Sequence, residues 1–202
     1  MRSLLASLLA PAIVIATPAQ AQTATLGSIA AHLRAITTMT ADFVQTDREG
    51  KALAGKLSLR QPGRIRFQYQ KGVPLLIVGD GSALWMIDYS VRQVSRWPVG
   101  NSPLSVLVDP RKDISRFARL VPSAVPGTIM IEARDPRHPE FGTIAIAFAS
   151  GGGPGGLEIQ GWTVLDAQNG RATVRLSNQR FGVPISDGTF QWDDPRPKGP
   201  RK

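Results

Sequence analysis

Along this chain the spacing of apolar residues shifts from helical to alternating. Leu26, Ile29, Ala30, Leu33, Ile36 and Met39 recur at helical spacing with Thr25 as N-cap, and predict an amphipathic helix over residues 26–40. The period then drops to two. Phe43 and Val44 stand in a short β-prone run, and residues 55–59 and 64–69 alternate cleanly. In these two stretches Leu57, Leu59, Ile65, Phe67 and Tyr69 share one parity, and Lys56, Arg60, Arg64 and Arg66 share the other. Such a ribbon has one apolar face and one cationic face. Pro62 cannot donate to a ladder, so it marks a bend, bulge or edge between them. Residues 75–78, 84–89 and 93–97 read as further strands, the first of them continuously apolar.

Asn101-Ser102-Pro103 is a helix-start signal. Leu104, Val106, Leu107 and Val108 follow as a short apolar helix that Pro110 stops. Strands return over 128–133, 143–149, 157–165 and 172–178, with the hairpin signal Asn169-Gly170 between the last two. One helix, about five strands, a short helix and about five more strands predict a mainly β fold in one large curved sheet or barrel. The two apolar helices belong on its concave face.

The N-terminus changes the list of partners. Arg2, the apolar run from Leu4 to Ala16 and Ala19-Gln20-Ala21 have the three parts of a secretory signal, so residues 1–21 are expected to be cleaved. The formal charge of +9 alone would favour nucleic acid. Export removes that partner, and the cations of the Pro-rich segment 195–202, read as a disordered basic tail, account for much of the excess. Residues 22–194 are then one domain, expected in the periplasm and monomeric. With no cysteine there is no disulfide framework.

Catalytic signatures are sparse. His32 is placed on the polar side of the first helix and His138 in a Pro-rich turn, and neither has metal-ligand spacing. The glycine-rich stretch 151–156 lacks the Lys-Ser/Thr pair of a phosphate loop and reads as a flexible turn. Asp80 and Asp109 are the acids around which an exported hydrolase would have to be built. No catalytic residue, cofactor or metal is therefore expected.

Several short motifs run in order along the chain. They are Phe43-x-Gln45, Gly55-x-Leu57-x-Leu59, Pro62-Gly63-Arg64-x-Arg66-Phe67-x-Tyr69 and Val78-Gly79-Asp80-Gly81-x-x-Leu84-Trp85. Gln93-Val94, Ser102-Pro103-Leu104, Asp166-x-x-Asn169-Gly170, Leu176-Ser177-Asn178 and Phe190-x-Trp192 follow. Together they resemble the LolA family of periplasmic lipoprotein carriers. The resemblance implies an unclosed antiparallel half-barrel of about ten or eleven strands, with a helical lid on its concave face. It implies a shuttle that takes acylated lipoproteins from an inner-membrane ABC transporter to an outer-membrane acceptor, or to the outer membrane, without catalysis.

On this reading Phe43, Leu57, Leu59, Ile65, Phe67, Tyr69, Trp85, Ile87, Leu104, Leu107, Ile146 and Val174 line the lipid cavity, helped by Ile144, Phe148 and Leu176. The arginines face water. Many relatives carry arginine before the proline matching Pro62, where it bonds to the lid; here Gln61 stands there, which implies a weaker lid latch with Arg64 or Arg60 as substitute. A binder of free lipid or glycolipid on the same fold, and an exported hydrolase, stay open on the residues alone.

Overall fold

The computed structural model describes residues 25–98, 105–111 and 113–197. The expected signal segment, the helix-start residues 101–103, Leu104 and the end of the tail lie outside the described residues.

Helix α1 (Leu26–Ala35) opens with a capping box: the Thr25 hydroxyl accepts from the Ser28 N–H at 3.1 Å, and the Thr25 N–H donates to the Ser28 hydroxyl at 3.0 Å. The helix is shorter than its spacing predicts. By Thr38 the backbone is already strand β1 (Thr38–Asp47), so Met39 serves the core from a strand. One residue in a buried position fits a period of 3.6 or of 2 equally well, so the pattern does not mark this boundary.

Antiparallel neighbours then follow in sequence: β2 (Ala52–Arg60), β3 (Arg64–Tyr69), β4 (Leu75–Asp80), β5 (Ala83–Asp88) and β6 (Gln93–Pro98). Helix α2 (Ser105–Val108) and a 3-10 turn at Ile114–Arg116 come next. The second run is β7 (Ala118–Val121), β8 (Thr128–Arg134), β9 (Thr143–Ser150), β10 (Leu157–Leu165) and β11 (Arg171–Phe181). The four-residue β7 is a strand the pattern did not reveal.

All eleven strands form one sheet in the order β6-β5-β4-β3-β2-β1-β11-β10-β9-β8-β7. The two runs meet where β1 pairs with β11, and β6 and β7 are left at opposite edges, so the sheet is unclosed. That topology explains the lid. The chain leaves one edge at β6 and must re-enter at the other at β7, so the connection that carries α2 passes from one margin of the sheet to the other.

Curvature is visible in the side chains. Phe67 on β3 and Trp162 on β10 are separated in the sheet by β2, β1 and β11, yet their rings meet edge to face at 6.0 Å between centroids. A flat sheet spaces neighbouring strands by about 4.8 Å, and would hold these two far apart.

Candidate functional site

The concave side is one continuous apolar cluster. Phe43 from β1, Leu57 and Leu59 from β2, and Ile65, Phe67 and Tyr69 from β3 belong to it. Ile144, Ile146 and Phe148 from β9, and Val174 and Leu176 from β11, join from the other half. Register makes this so: Leu57 faces Phe67 and Leu59 faces Ile65, so residues of one parity point the same way in both strands. Phe43 is the hub. Its ring meets Phe67 at 5.2 Å and Tyr69 at 5.1 Å, both edge to face. Gly55 opposite it makes the space, because a Cβ there would sit 2.7 Å from the Phe43 ring. The Tyr69 hydroxyl donates to Gln45 Oε1 at 2.7 Å, and burial pushes its pKa up to about 12, so this polar tip stays a neutral phenol.

Two helices close the concave side. Ile29, Ala30 and Leu33 of α1 and Val106, Leu107 and Val108 of α2 are all buried in the same cluster as the sheet residues. The described polar ties of this lid are few. The Gly63 N–H donates to the Val108 carbonyl at 2.6 Å, and Gln61 Nε2 reaches the Leu107 carbonyl at 3.5 Å. Gln61 Oε1 turns back to the Gly63 N–H at 3.3 Å. Gln61 therefore does face the lid, through one long bond. His32 of α1 makes a third tie: Nδ1 lies 2.6 Å from the Pro154 carbonyl oxygen. His32 is 2 % exposed, which corrects its expected place on the polar side of the helix.

The other face corrects three expectations. Arg64 does not substitute as a lid latch. It and Arg60 both pair with Asp187 on the convex side, holding that carboxyl below the usual carboxylate range. Arg60 also donates to the Ile185 carbonyl at 3.0 Å and lies over the Phe190 ring at 5.5 Å. Arg66 donates to the carbonyls of Gln191 at 2.8 Å and Thr189 at 3.2 Å. The arginine face is thus not simply turned to water: it seats a C-terminal strap, residues 182–194. Lys56 alone of the four keeps the simpler role, pairing with Asp42 across β1 and β2.

Trp85 and Ile87 are also corrected. They lie on the opposite face from Phe67, because Ile77 pairs with both Phe67 and Met86 and so puts Leu84 and Met86 on the concave side. Ile87 is buried with Leu76 and Val78 beneath Phe190 of the strap, and Trp85 meets Trp192 at 5.8 Å. With apolar cover on both faces this strand has no alternation to read.

Trp162 is a further wall residue that simple alternation does not reveal. A bulge between Ile159 and Gly161 lets Ile159 and Trp162 face the same side, against simple alternation. A Cβ at Gly161 would lie 2.1 Å from the Val174 carbonyl oxygen, so glycine at this position was the available signal.

The two acids considered for catalysis are engaged by neighbouring side chains and N–H groups. Burial opposes the charge on Asp80, but bonds from Trp85 Nε1, the Ser82 and Ala83 N–H groups and the Ser82 hydroxyl outweigh it and hold the carboxyl at about 2. A general acid needs the reverse shift. Asp109 is ion-paired with Arg111 at 2.9 Å. Among the described residues no three histidine or carboxylate side chains gather as metal ligands, and no helix is long and apolar enough to cross a membrane.

The profile of the family described as outer membrane lipoprotein carrier protein LolA matches residues 34–193. A protein of Chromobacterium violaceum named outer-membrane lipoprotein carrier protein is 32 % identical over 97 % of this chain and 96 % of its own length. One of the same name from Methylobacillus flagellatus is 25 % identical over 82 % of each. Among solved structures, a LolA superfamily protein from Nitrosomonas europaea aligns with a TM-score of 0.45 at 10 % identity, covering 84 % of this chain and 99 % of that one.

Proposed function

We propose, from the premise that this chain belongs to the LolA family of outer membrane lipoprotein carrier proteins, that it carries lipoproteins by their acyl chains between the concave face and the lid. The observation that carries the reading is the contrast between sheet and lid. The wall is an eleven-strand ladder, whereas α1 and α2 are held by apolar contact and a few polar bonds. Apolar contact is non-directional, so acyl chains can replace helix side chains against Leu57, Leu59, Ile65 and Phe67 at little net cost. Each methylene taken from water contributes about 0.8 kcal/mol.

In the closed form the wall is covered by the protein's own residues, so loading requires the lid to lift. Phe43, Leu57, Leu59, Ile65, Phe67, Tyr69, Leu107, Ile146 and Val174 are the contacts we assign to cargo. Gln61 is the latch. The work is binding and release in the periplasm, between an inner-membrane ABC transporter and the outer membrane, with no bond made or broken.

Native mass spectrometry of the carrier isolated from a periplasmic fraction tests this. Acylated lipoprotein bound at about one per carrier is expected, with at least a tenfold loss in Leu59→Glu and Phe67→Glu, since a buried carboxylate in the wall is costly. Free lipid alone as the bound species would overturn the lipoprotein assignment while keeping the cavity.

A further inference from the structure

The tie between α1 and the turn Pro154–Gly156 has a chemistry that the other lid contacts lack. A carbonyl oxygen only accepts, so His32 Nδ1 carries the hydrogen and Nε2 is a bare lone pair. That Nε2 is buried and has no hydrogen-bond partner. The ring packs at right angles to Phe148, an apolar neighbour from the sheet, at 5.9 Å between centroids. The neutral ring fits this place; the cation does not. Protonating Nε2 would create a buried charge and a second N–H with nothing to receive it.

The surrounding charges do not rescue the cation. The turn Pro154–Gly156 and strand β9 have no titratable side chain. Near α1, Arg116 in the 3-10 turn stacks on Phe117, the turn's cap Asp113 bonds Ser115, and Arg119 of β7 pairs with Glu132 of β8. Arg34 on α1 itself is a further cation. Glu158 of β10 is the acid whose charge favours a protonated ring, but its carboxylate already accepts from the Gly152 N–H at 3.0 Å. Burial outweighs both the Pro154 bond and the Glu158 charge, each of which favours the cation, and lowers the pKa of His32 below its ordinary value.

We infer that His32 is a proton-sensitive clasp of the lid: its neutral ring fastens α1 to the Pro154 turn, and acid releases that helix from the concave face. The sign follows from linkage. The closed form holds the proton less tightly than the released helix, whose histidine titrates near 6.5. Closure is therefore at full strength above that value and weakens as pH falls toward the lowered pKa of the closed form. That release also admits cargo rests on the carrier reading; release itself does not.

Hydrogen exchange of the α1 amides in the full, cargo-free chain, corrected for intrinsic exchange chemistry, tests it alongside NMR titration of both imidazoles. The expected result is α1 exchange that speeds by up to about tenfold for each pH unit below 6.5 while β1 and β11 stay protected. His32→Asn keeps an N–H donor near the Nδ1 position but cannot titrate, and should abolish the acceleration. His32→Phe should do the same if the asparagine variant folds poorly. An unaltered acceleration in a folded variant would overturn the proposal. So would a wild-type His32 that titrates at 6.5 or above while α1 stays protected at low pH. Because no cargo is present, failure here leaves the carrier reading standing, and loss of lipoprotein from the carrier leaves this result intact.

Discussion

At the latch we propose, Gln61 makes only a weak tie to the lid. Its amide meets the Leu107 carbonyl at 3.5 Å, at the limit of a hydrogen bond, and shares its other end with the Gly63 N–H. A guanidinium at the same position would offer several donors and a charge, and charge-assisted bonds are about twice as strong as neutral ones. Gln61→Arg is therefore expected to slow cargo release by about tenfold, the equivalent of 1.4 kcal/mol, measured as transfer of a labelled lipoprotein to acceptor vesicles. Unchanged transfer would remove Gln61 from the latch. Gly63 constrains this position further. Its φ is +73°, and a Cβ would fall 2.5 Å from the Gly81 Cα, so the turn that donates to Val108 can be built only with glycine.

Among the elements, the C-terminal strap gives the cationic ribbon its purpose. Arg60, Arg64 and Arg66 each bond to it, and Phe190 fills the space over Leu76, Val78 and Ile87. The ion pairs to Asp187 are exposed and add little on their own. The apolar anchor should dominate. Phe190→Ala is expected to cost about 3 kcal/mol in denaturant unfolding and to expose Trp192 to water, read as a red shift in its emission. Asp187→Asn should do much less. The reverse ranking would show that charge and not burial seats the strap. The same logic explains why β5 was unreadable. Trp85 and Ile87 pack under the strap while Leu84 packs toward the concave core, so both parities are apolar.

For the whole molecule, the unclosed sheet and its crossing connection form one device. β6 and β7 end at opposite edges, and the chain between them brings α2 onto the apolar wall. Of the two lid helices, α2 is thereby covalently tethered at both ends. The chain has no cysteine, so an introduced pair is the only thiol pair present. Oxidised Gln61→Cys/Leu107→Cys is expected to block lipoprotein loading by at least tenfold and to regain it on reduction. Loading by the oxidised protein at the normal rate would mean that α2 need not move.

Much of this was legible without coordinates. Alternation in β2 and β3 named the wall residues Leu57, Leu59, Ile65, Phe67 and Tyr69, because a strand with one buried face repeats every two residues. Turn residues and the ordered motifs indicated a mainly β chain of the LolA family. What the sequence could not decide were matters of long-range contact. Whether an arginine faces water or a strap depends on residues more than a hundred positions away, as in Arg64 with Asp187. Whether Trp85 looks inward depends on which neighbour sets its register. His32 reads as polar and exposed until the Pro154 turn closes over it. Local pattern determined which residues share a face; only the packing of distant segments decided what each face touches.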